Sequence, residues 1–282
     1  MIRAQRVLAL DDIRDHYDDL DRFYRAIWGE HIHHGLWLDG RENPREAARL
    51  LVHRVAVRAG ITSGQRVCDA GSGYGASARL WVEHYAAHVT AVTLSPRQHA
   101  LALQTTNPDN NPEYRCGDWL DIELELHSFD HVVAIESTEH MESLRAVFQR
   151  AADLLRPGGR MTVCAWLAAQ SVSAWPGKRF LQAICDEARL IGMGTESDYR
   201  EGFKLAGFTK ISCEDLSHKV RKTWSICARR LLGSVLKDAK TRRYLLHRSS
   251  RNRVFALSVL RIWLAYYLGT MRYGLFTATR SA

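Results

Sequence analysis

The residues best suited to chemistry fall into three groups. After the apolar pair Val67-Cys68 comes Asp69-Ala70-Gly71-Ser72-Gly73-Tyr74-Gly75, a carboxylate followed by three glycines in five residues. Glycines this dense serve a turn whose backbone angles a Cβ forbids, and a ligand lying against bare main chain. A helix starting next, near Ala76, offers free N–H groups and a positive dipole end to a carboxylate or phosphate. The second group, Glu136-Ser137-Thr138-Glu139-His140, sets two carboxylates and an imidazole in five residues. Such groups take up protons or stabilise developing positive charge, although on a first helical turn Glu139-His140 also reads as a cap and a surface pair. The third is a concentration of rings before the first strand: Tyr17, Phe23, Tyr24, Trp28, His31, His33, His34 and Trp37. It reads as a helix and loop folded over a site. Three histidines in four residues cannot all turn to one ion from a regular element, and no carboxylate or thiolate is spaced to complete a site. No metal is expected.

The elements that must position these groups alternate. An amphipathic helix runs through residues 43–59, with Ala47, Leu50, Leu51 and Val55 on one stripe and Gly60 as its stop. Strands follow at Arg66–Ala70, Val89–Leu94, Glu113–Cys116, Phe129–Ile135 and Arg160–Trp166. Helices lie between them, one starting at Ser95-Pro96 with a capping serine and a first-turn proline. Leu155-Arg156-Pro157-Gly158-Gly159 breaks the helix traced by Leu144, Val147, Phe148, Ala151 and Leu155. A helix at Asp198–Leu205 precedes strands at Phe208–Glu214 and Tyr273–Arg280. This alternation predicts an α/β fold, a doubly wound Rossmann-like sheet of seven strands, with ligands at the carboxyl ends of the strands. One domain is expected. Residues 1–42 are its N-terminal helical lid and 43–217 its core. Residues 218–272 are a helical cap inserted before the last strand at 273–282.

Composition narrows the classes. The 282 residues are 46% hydrophobic and 25% charged, an ordinary globular balance. The six cysteines are scattered without a C-x-x-C pair, which favours a reducing compartment over a disulfide framework. Met1–Arg6 leads into only four apolar residues before Asp11, no signal peptide, and no run approaches a membrane span. A cytoplasmic location follows as an expectation. Net charge is +8, and residues 215–282 hold 15 of the 39 Lys and Arg. A bias of that kind attracts nucleic acid, anionic headgroups or a phosphorylated substrate, or is a solvated helical face.

Gly71-x-Gly73-x-x-Ala76 also fits a loose dinucleotide fingerprint, so the cofactor is decided elsewhere. No acid stands at the end of the second strand, Thr93-Leu94-Ser95, where a nicotinamide site places one. Asp118-Trp119 supplies a carboxylate and a flat ring at adenine height. Asp69 suits a ligand ammonium, and no hydride-transfer constellation is present. These residues favour S-adenosylmethionine.

The sequence resembles the class I S-adenosylmethionine-dependent methyltransferases, in the branch of the tocopherol and sterol C-methyltransferases and, more distantly, the cyclopropane fatty acid synthases. The resemblance is carried nearly end to end by Tyr17-Asp18, Trp28-Gly29-Glu30-His31-Ile32-His33-His34-Gly35, Asp69–Gly73, Thr93–Gln98, Gly117-Asp118-Trp119, Glu136–Met141, Ala206-Gly207-Phe208 and Tyr273–Ala278. It implies that His34 and Tyr17 lie against the methionine end of the cofactor and that Asp69, Gly71 and Gly73 form its cradle. Thr93, Leu94 and Gln98 hold ribose and adenine, and Asp118 and Trp119 grip the adenine. Glu136 sits at the tip of the fourth strand, with Glu139 and His140 facing the acceptor as catalytic residues. Cyclopropane synthases place a histidine at the end of the fifth strand to help hold a bicarbonate base. Here that residue is Cys164, so cyclopropanation is not expected.

The expected reaction is methylation of a small, largely apolar molecule, foremost C-methylation of an isoprenoid or prenylated aromatic secondary metabolite. O- and N-methylation stay open. An RNA-binding protein or an NADP-linked oxidoreductase are readings from other classes, the second because Arg97 could meet a 2′-phosphate. No separate RNA-binding module is visible, so nucleic acid is not an expected partner. The cap is expected to close over the site, with Leu257, Leu260, Trp263, Leu264 and Tyr267 lining the acceptor pocket and basic residues such as Arg229, Arg230, Arg242 and Arg243 meeting an anionic group or a membrane surface.

Overall fold

The computed structural model describes residues 1–105, 111–172, 175–247 and 255–281. In chain order the elements are β1 (Ile2–Arg3), α1 (Leu10–Ile27), α2 (Pro44–Ala59), β2 (Arg66–Ala70), α3 (Ala76–Tyr85), β3 (His88–Thr93), α4 (Pro96–Gln104), β4 (Glu113–Cys116) and β5 (Phe129–Ile135). A single 3-10 turn, Thr138–His140, leads to α5 (Leu144–Leu154), β6 (Leu155–Ala168), α6 (Trp175–Ala188), β7 (Gly192–Met193), α7 (Glu196–Leu205) and β8 (Phe208–Asp215). Among the described residues four helices follow, α8 (Ser217–Val220), α9 (Lys222–Lys237), α10 (Ala239–Leu246) and α11 (Phe255–Tyr267), and then β9 (Met271–Arg280).

The large sheet has seven strands in the order β4-β3-β2-β5-β6-β9-β8. Strands β2 to β6 pair in parallel, and β9 runs antiparallel between β6 and β8. The chain winds outward from β2 through β3 to β4 and then returns to β5 on the other side of β2. That reversal opens a crevice at the carboxyl ends of β2 and β5, where an open parallel sheet binds ligands. The expected doubly wound sheet is therefore present. Strand β6 is longer than the expected Arg160–Trp166. It takes in Pro157-Gly158-Gly159, because Leu155 already pairs with Phe129 before the register shifts.

Side chains alternate across the sheet. Cys68, Ala70, Val132, Ala134, Met161 and Val163 face α5 and α7, while Val67, Val133, Ile135 and Cys164 face the layer of α2, α3, α6 and the cap. Local signals act as the sequence implies. Asn43 and Ser95 accept hydrogen bonds from Glu46 N and Gln98 N, and Gly60 ends α2 in the left-handed region. A two-stranded ribbon, β1 with β7, ties the N-terminus beside α6.

Candidate active site

The crevice is a cavity of about 320 Å³. Its floor begins at β2. Gly71 adopts φ +88°, and a Cβ there would lie 2.3 Å from Ser137 Cβ, so the glycine loop and the tip of β5 interlock without room for a side chain. Ser137 Oγ closes the junction by donating to the Ala70 carbonyl at 2.5 Å. Asp69 is buried, and its Oδ2 has no partner among the described residues; neither has the buried Ser72 Oγ. Burial alone pushes the Asp69 carboxyl up to about 7. An orphaned buried carboxylate oxygen beside bare backbone fits a ligand that brings its own ammonium, as S-adenosylmethionine does.

Most of the expected contact residues border this cavity: Tyr17, Asp69, Gly71, Gly73, Thr93, Leu94, Gln98, Asp118 and Trp119, with Glu136 and His140 at its inner end. Thr93 donates to the side chain of Gln98 at 2.9 Å, which presets both in the adenosine half. Trp119 is less available than a free stacking plate. Its indole N–H donates to Cys68 Sγ at 3.3 Å and its ring is seated in the core. Arg97 does not reach into the cavity; its Nε is 3.0 Å from the Asp21 carboxylate of α1. His31 and His33 also border the cavity and are hydrogen-bonded to each other at 3.1 Å. Burial lowers His31 to about 2, so it is neutral.

His34 departs from its expected place. It does not border the cavity but stands behind Glu136, to which its backbone N–H and Nδ1–H donate at 2.8 and 3.0 Å. Its Nε2 accepts from the Trp224 indole at 2.6 Å and lies 3.2 Å from Tyr266 Oη. An indole can only donate, so these partners assign the His34 proton to Nδ1. Glu136 intervenes because its own backbone is left-handed, φ +55°, a strained setting for a residue with a side chain. Its carboxylate accepts two further bonds, from Tyr273 Oη at 2.6 Å and Trp166 Nε1 at 2.8 Å. Burial opposes its charge, but His34 and the Tyr273 hydroxyl outweigh burial and hold Glu136 down to about 2. It is a fixed anion with four donors around it.

Glu139 also lies deeper than expected. It is absent from the wall of the main cavity and borders a smaller inner chamber of about 40 Å³. The Trp166 backbone N–H donates to Oε1 at 2.5 Å and Thr138 Oγ1 to Oε2 at 3.2 Å. Burial raises it to about 8, so it holds a proton near neutrality. His140 is the reverse case. Its Nδ1 lies 2.9 Å from the Arg189 carbonyl, which can only accept, and its Nε2 lies 2.8 Å from Tyr17 Oη. Burial lowers it to about 4. A neutral imidazole protonated on Nδ1 thus aims a lone pair at the Tyr17 hydroxyl, at the seam between cavity and chamber.

The chamber is walled by Tyr17, Tyr24, Trp28, Trp166 and Trp224, with Glu136, Glu139 and His140 at its polar end. The rings pack edge to face, Trp166 with Trp224 at 5.5 Å and Trp28 with Trp224 at 5.7 Å. Trp166, Trp224 and Tyr266 were not singled out by the sequence, and Tyr273 entered only through the resemblance, with no role at the site. They come from β6, α9, α11 and β9, and no local spacing links them.

The cap's expected pocket residues face the other way. Leu257, Leu260, Trp263, Leu264 and Tyr267 are all exposed, whereas Ser258, Val259, Ile262, Ala265 and Tyr266 form the buried side of α11. That side packs on α6, α9 and β9, and a helix apolar all round can bury only one face against them. What the cap contributes inward is Trp224 and Tyr266.

Residues 4–231 match the family model for mycolic acid cyclopropane synthetase. Among curated proteins the chain is 29% identical to 27-O-demethylrifamycin SV methyltransferase of Amycolatopsis mediterranei, over 79% of this chain and 83% of that protein. It is also 29% identical to a probable chloroplastic tocopherol O-methyltransferase of Oryza sativa, over 74% of this chain and 62% of that protein. Among solved structures it superposes on mycolic acid cyclopropane synthase CmaA1 complexed with SAH and CTAB. The TM-score is 0.83 at 20% identity, covering 98% of this chain and all of that one.

Proposed function

For a chain that belongs to the mycolic acid cyclopropane synthetase family, and is an S-adenosylmethionine-dependent methyltransferase, we propose methylation at carbon of a small, largely apolar acceptor, an isoprenoid or prenylated aromatic. The observation that carries the reading is the aromatic chamber beside the Asp69 cradle, with a neutral base at its mouth. When bound, S-adenosylmethionine supplies an electrophilic methyl on a sulfonium. Asp69, Gly71, Gly73, Thr93, Leu94, Gln98 and Asp118 are the residues that would hold it.

The chain's own groups then have distinct tasks. The ring faces exclude water and favour positive charge developing on the acceptor. The fixed carboxylate of Glu136 adds to that field. His140 Nε2, kept unprotonated and oriented by the Arg189 carbonyl, takes a phenol proton directly or through Tyr17 Oη. Cys164 is buried beneath Glu136, and its thiol is held far above its ordinary range, first by burial. It is no substitute for the anion-holding histidine of cyclopropane synthases, which supports methylation over ring closure.

The same base would serve a phenolic oxygen, and the rifamycin and tocopherol relatives are named as acting at oxygen or as O-methyltransferases; O-methylation is the second reading. Incubation with 13C-methyl S-adenosylmethionine and a panel of prenylated hydroquinones, linear isoprenoids and small amines separates them by the carbon shift of the product methyl. A carbon-bound methyl on an apolar acceptor is expected, with kcat lowered roughly 10²–10⁴-fold in His140→Gln at unchanged cofactor affinity. Turnover of amines alone would remove the apolar reading.

A further inference from the structure

The surface of the cap has a property that its inward contacts do not account for. Leu257, Leu260, Leu264 and Leu268 recur at three- and four-residue spacing along and just beyond α11 and are exposed by 51, 56, 39 and 62%. Trp263 and Tyr267 join them, their rings 4.9 Å apart. A run of six large apolar side chains on one solvent-facing stripe is more than a soluble surface leaves uncovered without a use. A shorter stripe, Leu232 and Leu236, is exposed on α9 behind Arg229.

Charge is segregated to the same part of the chain. Residues 218–272 carry fourteen of the 39 Lys and Arg and one of the 31 Asp and Glu, Asp238. The cap is therefore +13 and the remainder of the chain −5, which net charge alone conceals. Cation and apolar stripe meet directly, since the Arg221 guanidinium lies 5.1 Å over the Tyr267 ring. At thirteen residues α11 is too short to cross a bilayer.

We propose that α11 is an interfacial helix that seats the enzyme on an anionic lipid bilayer, its leucine stripe among the acyl chains and the cap's cations at the headgroups. An apolar face rimmed by Lys and Arg is the pattern of a helix lying in the interface plane. Nucleic acid would use the cations but leave the leucines exposed. The inference deepens the proposed function, because a prenylated acceptor resides in such a bilayer, and Tyr266 on the inner side of α11 lies 3.2 Å from His34 Nε2. Its test needs no turnover and so can fail independently of that reading.

The purified protein is sedimented with phosphatidylglycerol-containing and pure phosphatidylcholine vesicles, in low and high salt. Retention on the anionic vesicles, weakened by salt, is expected. The double variant Leu260→Asn, Leu264→Asn should lower partitioning at least about tenfold while leaving melting temperature and S-adenosylmethionine affinity unchanged. Failure of the wild-type protein to bind, or equal retention of the double variant, overturns the proposal. So does tighter binding to a single-stranded RNA probe than to the vesicles. A concentration-dependent dimer that the double variant abolishes would assign the stripe to a second copy of the chain and also overturn it.

Discussion

At the scale of single residues, the site works by setting three buried groups to opposite protonation. Asp69 and Glu139 are raised by burial, to about 7 and 8, whereas His140 is lowered by burial to about 4. The unpartnered Asp69 oxygen makes a prediction about cofactor binding. An ammonium next to the carboxylate favours its charged form, so binding should release a proton wherever free Asp69 is protonated. Affinity for S-adenosylmethionine is then expected to rise about tenfold per pH unit up to about 7 and flatten above. Calorimetry in buffers of different ionisation enthalpy reads the proton directly. Asp69→Asn should bind roughly ten- to a hundredfold more weakly with no pH dependence of this kind. A wild-type affinity that is flat from pH 5 to 7 would contradict the cradle assignment.

At the scale of elements, α1 is fastened over the crevice by its acidic face. Asp21, buried on that helix, accepts from Tyr74 Oη at 2.6 Å and pairs with Arg25 and Arg97, each at 3.0 Å. Burial opposes its charge, but Tyr74 and Arg97 hold it below the ordinary carboxylate range. Ser95 Oγ donates to Asp18 one turn earlier. One helix is thereby tied to the glycine loop and to the start of α4, the two segments that flank the adenosine half of the cavity. Asp21→Ala should leave the sheet intact and loosen α1. KM for S-adenosylmethionine is expected to rise about tenfold with a much smaller loss of melting temperature, and amide exchange across Leu10–Ile27 should accelerate. Equal exchange in variant and wild type would show that α1 is held by its apolar side alone.

At the scale of the whole molecule, the perturbed groups shape stability against pH. His31, His33, His131 and His140 are lowered from an ordinary value of 6.5, each chiefly by burial. Below pH 6.5 the unfolded chain binds protons that these rings refuse, so stability falls as pH drops. Asp69 and Glu139 hold protons in the fold that the unfolded chain has already lost. They offset part of that fall and reverse the trend above neutrality, where Glu139 must ionise in place. Chemical denaturation from pH 4.5 to 8.5 should therefore give a maximum near pH 6.5 to 7. A stability that rises steadily through pH 8 would mean that Glu139 ionises freely inside the fold.

The seven-stranded sheet, the glycine turn, the cap at Ser95 and the stop at Gly60 were legible in the sequence, because backbone sterics and short-range hydrogen bonds depend on neighbours a few residues apart. The expectation of an S-adenosylmethionine-binding site likewise rested on local pattern, an acid and three glycines between a strand and a helix. No local pattern marks helix α6, and none shows the reach of β6 through Gly158-Gly159, because pairing with Phe129 decides it. The withdrawal of His34 behind Glu136 depends on a left-handed residue at the tip of β5 and on donors from α9, α11 and β9. Which face of α11 is buried was equally undecidable from a helix apolar all round; contact with α6 and α9 chose it. Sequence by itself determined most of the elements and the residues at the ends of the strands. Only the tertiary structure decided which of those side chains meet, and burial, a property of the whole fold, then set their charge.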